Sequence, residues 1–120
     1  MELAELSRRA VALRARFAAA ETARGGQPWT RAELAQGFVG DVGALMKLLM
    51  AKDGRRAAPA GCESAAALDT KLAHELADCL WSVLVLAEAS GVDLERAFLA
   101  MVAEVEATLP SRPAALEKRE

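Results

Sequence analysis

The stretch AAALDTKLAHELADCLWSVLVLAEAS, Ala65–Ser90, decides the fold. Its length and apolar spacing predict one helix of about 39 Å, with Gly91 placed as the left-handed residue that ends it. Leu72, Leu76, Leu80, Val83, Val85 and Leu86 cannot all face one partner. A helix apolar most of the way round is central, or it packs against another subunit. An oligomer is therefore expected, a homodimer or a homotetramer.

Working outward, three more helices are expected. The first runs from about Glu2 to Arg24, with Leu3, Leu6, Ala10, Leu13 and Phe17 at helical spacing and Gly25-Gly26-Gln27-Pro28 as its stop. The second begins at Thr30, where Thr30-x-x-Glu33 reads as a capping box, and continues through Phe38, Val42, Leu45 and Leu49 to Gly54. The fourth is capped by Asp93 and runs from about Leu94 to Thr108, where Leu109-Pro110 breaks it. Short connections favour antiparallel neighbours, so the expected fold is all-α: an antiparallel four-helix bundle completed by oligomerisation. Residues 1–109 form its single domain and 110–120 a solvated tail.

Composition agrees. Of 120 residues, 28 are Ala and 17 Leu, Ile and Tyr are absent, and aromatics make up 4%. Such a chain lacks the β-branched and aromatic side chains that sheets use, and it is rich in helix formers. A net charge of -2 disfavours nucleic acid as a partner. The longest uncharged run of the second half, Cys79–Ala87, is far short of a membrane span of about twenty residues. With no apolar leader at the N-terminus, a cytoplasmic location is expected, with Cys62 and Cys79 as free thiols.

Charged residues in apolar surroundings carry the chemistry. Lys71, Glu75, Asp78 and Ser82 share one stripe of the long helix. Two carboxylates one turn apart repel, and burying them needs a divalent cation or basic partners. Asp41 is equally unexpected within Gly37-Phe38-Val39-Gly40-Asp41-Val42-Gly43-Ala44-Leu45. Each of those glycines costs a helix about 1 kcal/mol against Ala, which predicts a close approach to the backbone. If the second and third helices pack antiparallel, Asp41 faces Glu75 and Asp78.

Phe38–Leu45, followed by His74-Glu75-Leu76-Ala77-Asp78-Cys79-Leu80, resembles the MazG-like all-α nucleoside triphosphate pyrophosphohydrolases, which include the dimeric dUTPase and dCTPase branches. Gly91–Phe98 resembles the start of their next helix, and the resemblance covers about Thr30 to Ala107. Their pattern is E-x-x-E on one helix and E-x-x-D on the next. The resemblance implies Asp41, Glu75 and Asp78 as catalytic metal ligands for Mg²⁺ (or Mn²⁺). It implies a nucleoside triphosphate substrate, water attack at the α-phosphorus, and release of monophosphate and pyrophosphate. Two positions depart from the pattern. The second acid of the first element falls on Ala44, which binds no metal, and Gly40 stands where some members carry an additional acid. A homologue that binds nucleotides without hydrolysing them, or serves as a structural interaction protein, is the alternative.

Other residues have plainer readings beside functional ones. Lys47, Lys52, Arg55 and Arg56 could contact phosphates, or simply suit a helix C-terminus. Trp29, beside Pro28, is the better candidate for stacking on a base, whereas Trp81 suits packing. Met46, Met50 and Met101 are expected in the core, and Cys79 as a small buried hydrophobe. His74 is the only histidine, so His74-Glu75-x-x-Asp78 is no zinc motif.

Overall fold

A computed structural model describes residues 1–110 of the chain. Four α-helices and no strand occur among them: α1 (Leu3–Ala23), α2 (Arg31–Lys52), α3 (Ala65–Ala89) and α4 (Leu94–Thr108). Residues 111–120, most of the expected tail, lie outside the described residues.

The helix ends follow local chemistry. At α2 the Thr30 hydroxyl accepts from the Glu33 N–H at 3.2 Å, while the Thr30 N–H donates to Glu33 Oε1 at 3.0 Å, so two orphan donors are satisfied. Asp93 caps α4 by accepting from the Arg96 N–H. At the end of α3, Gly91 takes φ +68°, and the Val92 N–H reaches back to the Ala87 carbonyl at 2.8 Å. A side chain would resist that backbone conformation, and Gly does not.

α2 and α3 lie antiparallel. Three rungs fix their register: the Arg31 guanidinium reaches the Ala89 carbonyl at one end, Asp41 meets Glu75 and Asp78 in the middle, and Lys52 pairs with Asp69 at the other end. Two apolar clusters flank the middle rung. Leu34, Leu84 and Val85 close one end with Ala10 of α1, and Leu48, Cys62 and Leu68 close the other. α1 crosses α3 at Trp81, whose indole N–H donates to the Ala10 carbonyl at 3.1 Å and whose ring meets Phe17 edge to face, centroids 5.8 Å apart. Trp81 thus packs as its spacing suggested.

The expected bundle is not closed within one chain. α4 has no buried residue, and only Leu94, at its start, joins the core. Met46, Met50 and Met101, expected in the core, stand 38–56% exposed. Helical spacing assigned them to an apolar side correctly, but nothing in the described residues covers that side. α2 is long and apolar enough by length and composition to cross a membrane. Its midpoint nevertheless holds Asp41 against two further carboxylates, a costly arrangement in hydrocarbon.

Candidate metal centre

On the α2 wheel, Asp41 lies within about 20° of Leu34 and Leu48, so its backbone aims it into the seam that those leucines close. Glu75 is placed likewise on α3, within about 20° of Leu68 and Ser82. Asp78, three residues on, flanks it. The antiparallel register brings all three together, with one carboxylate oxygen from each within 4.8 Å of the others.

The three carboxylates differ in setting. Glu75 is buried, at 8% exposure. Its Oε1 lies 3.6 Å from Lys71 Nζ, while its Oε2 is buried with no hydrogen-bond partner among the described residues. An unpaired buried acceptor typically costs about 1–3 kcal/mol, and more when charged. Asp78 is more open, and its Oδ2 sits 3.3 Å from His74 Nε2. Asp41 is half-buried, and its acidity is weakened: burial raises its pKa, and the negative fields of Asp78 and Glu75 raise it further against a lowering by His74. Burial first, then Asp41, Glu75 and Asp78, also push the neighbouring Cys79 thiol up, which keeps it protonated and a poor nucleophile.

The donor set suits a hard divalent cation. Six-coordinate Mg²⁺ at about 2.1 Å sets neighbouring oxygens roughly 3.0 Å apart and opposite ones roughly 4.2 Å, so these carboxylates would close inward on it. Lys71 and His74 stand beside the cluster on its outer side, whereas Oε2 of Glu75 meets no hydrogen-bond partner among the described residues.

The remaining candidates divide. Trp29 lies on α2 at Gly37, one turn before Asp41. A Cβ at Gly37 would stand 3.0 Å from the Trp29 ring, so this glycine does admit a close approach. Gly40 and Gly43 do not: no atom of the described residues lies within 4 Å of where their Cβ would be. Trp29, Trp81, Phe17 and Leu34 line an apolar cavity of about 820 Å³, with Arg14, Arg24 and Glu88 among its polar lining. This cavity excludes the three carboxylates; it begins one turn from Asp78 on α3, at Trp81, and two turns from Asp41 on α2, at Leu34. Lys52 is engaged with Asp69, and Lys47 and Arg55 are exposed toward the far end of α2, so the structure does not bring these three to the cluster. Helical spacing reveals neither the unpaired Oε2 of Glu75 nor the aromatic cavity as a unit; the local signal for the cavity is a glycine inside a helix.

No protein-family model, curated protein or solved structure matches the chain.

Proposed function

We propose that the chain holds a divalent cation between α2 and α3 and hydrolyses nucleoside triphosphates to monophosphate and pyrophosphate, a house-cleaning reaction of the cytoplasm. The observation that carries this reading is the convergence of Asp41, Glu75 and Asp78 with a buried, unpartnered oxygen on Glu75. Mg²⁺, or Mn²⁺ in its place, accepts such oxygen ligands and leaves coordination positions for substrate phosphates. When bound, it would neutralise triphosphate charge and polarise the phosphorus under attack.

The protein's own groups set the geometry. Asp41, Glu75 and Asp78 would hold the cation. Lys71 steadies Oε1 of Glu75, and His74 steadies Oδ2 of Asp78, so the other oxygen of each stays free. Gly40 and Ala44 present little bulk on the flank of α2 beside Asp41. Trp29 offers a ring face to a base one turn away. Ala44, in place of a fourth acid, limits the set to one cation.

The same alanine favours a second reading, nucleotide binding without turnover. Pyrophosphate release from a panel of ordinary and modified triphosphates, with and without Mg²⁺ or Mn²⁺, separates the two. Release that requires the metal and falls at least about 100-fold in Asp78→Ala is the expected result. Metal-dependent binding without release assigns the second reading. Neither binding nor release at millimolar nucleotide, with no metal-dependent rise in melting temperature, defeats both.

A further inference from the structure

Along α3 the candidate groups come in a fixed order: Lys71, then Glu75 and Asp78, then Trp81. Helical rise puts Lys71 and Trp81 about 15 Å apart along the axis, with the carboxylate centre between them. Trp81 lines the aromatic cavity together with Trp29, so the cavity lies at one end of the series and Lys71 at the other.

Lys71 is placed to do more than neutralise Glu75. Its Nζ stands 3.6 Å from Glu75 Oε1, an ion pair too long for a hydrogen bond, and its side chain is half exposed. An ammonium has three N–H donors, so this one can stay beside Glu75 and still donate to a second anion. Other basic side chains are held elsewhere: Lys52 by Asp69, Arg24 by Glu21, and Arg31 at the Ala89 carbonyl. Among the described residues, Lys71 is the only lysine or arginine paired with a carboxylate of the cluster. A triphosphate brought to this centre meets three carboxylates, and one divalent cation offsets only part of that charge. The remaining repulsion calls for a cation of the chain, and Lys71 already stands there.

Resting on the nucleotide reading above, we propose that Lys71 binds the β- and γ-phosphates of the substrate, the end that leaves as pyrophosphate, and so fixes the direction in which the nucleotide lies along α3. The base then lies in the Trp29–Trp81 cavity, the α-phosphorus at the carboxylates and the phosphate tail at Lys71. The reverse direction puts the charged tail into a largely apolar cavity whose Arg24 is taken by Glu21, and desolvating it there without matched partners is costly. Lys47, Lys52 and Arg55, the phosphate contacts expected from sequence, thereby give way to a residue of the facing helix.

Calorimetry on the full chain tests this with two probes: Mn²⁺ alone, and inorganic triphosphate in the presence of Mg²⁺. Lys71→Met keeps the apolar stem and removes the charge. It should bind inorganic triphosphate at least about 10-fold more weakly, the scale of one charge-assisted hydrogen bond. It should bind Mn²⁺ as tightly as wild type or about 3-fold more tightly, because a positive charge beside Glu75 has gone. Lys71→Arg should bring triphosphate binding back to within about 3-fold of wild type, because charge and donors return. A lysine that merely held Glu75 in place would, when removed, weaken both probes together, and that result overturns the proposal. So does triphosphate binding untouched by Lys71→Met, or lost as fully in Lys71→Arg. A wild type that binds Mn²⁺ but no triphosphate overturns the proposal and leaves the metal centre standing. A wild type that binds neither removes the metal-centre reading and the proposal with it.

Discussion

The two ends of the α2–α3 seam and its middle follow opposite rules. At one end Leu34, Leu84 and Val85 exclude water, and at the other Leu48, Cys62 and Leu68 do the same. Between them three carboxylates crowd one point, and one of their oxygens is buried without a partner. The ends lower the free energy of the fold, and the middle raises it. A chain that only had to fold would place Leu or Ala at 41, 75 and 78. On the proposed reading, folding stability is given up in the middle for binding, a pattern common where side chains must meet a ligand.

The largest effect should come from breaking an end. Leu84 is 4% exposed, and Leu84→Ala leaves a cavity that α1 and α2 cannot easily fill. A loss of about 3 kcal/mol is expected, with a fall in melting temperature on the order of 10 °C. Denaturation in chelator and in Mg²⁺ should show the same loss, because the end does not touch the three carboxylates. A loss that differs strongly between the two conditions would mean that ends and middle are one unit.

The middle should answer with the opposite sign. Glu75→Met keeps the volume and removes both the buried charge and the orphaned oxygen. Without metal it should stabilise the fold by about 1–3 kcal/mol, as when buried ion pairs are replaced by apolar side chains. It should also abolish any stabilisation by Mg²⁺. Chemical denaturation of wild type and variant, each with and without metal, gives the four numbers needed. A destabilised variant in chelator would show that Glu75 is held by the protein itself, through Lys71, and that the middle is an ordinary salt-bridged rung.

Much of this contrast is legible in the sequence, for identifiable reasons. Thr30 with Glu33, Asp93, and Gly91 mark helix ends because capping is local chemistry. The meeting of Asp41 with Glu75 and Asp78 follows from helical spacing plus one assumption, antiparallel neighbours, which the Arg31–Ala89 and Lys52–Asp69 rungs bear out. Coverage is not legible. Spacing identifies Met46 and Met101 as members of apolar stripes, but burial depends on which other helix arrives, and none does among the described residues. Trp29 over Gly37 is equally hidden, since a loop residue reaches its contact through the path of the loop. The residue pattern therefore predicts sides of helices well and partners of those sides poorly.

The smallest effect sharpens the comparison most, because its sign depends on pH. Burial and the fields of Asp78 and Glu75 raise the Asp41 pKa above 3.8, so folding favours its protonated form. That contribution is fully present below the unfolded value and is lost as pH rises through the folded one. At neutral pH the ionised Asp41 therefore opposes folding, and Asp41→Asn should stabilise the metal-free protein there by about 0.5 kcal/mol, the scale of close like-charge pairs. Below about pH 3.8 wild type and variant should converge, since Asp41 is then neutral in both states. In saturating Mg²⁺ the order should reverse, because the carboxylate then has a cation to meet and the amide does not. Melting curves from pH 3.5 to 8, with chelator and with metal, display all three regimes. An advantage for Asn that persists unchanged with metal present would make Asp41 a strained bystander and leave only Glu75 and Asp78 as ligands.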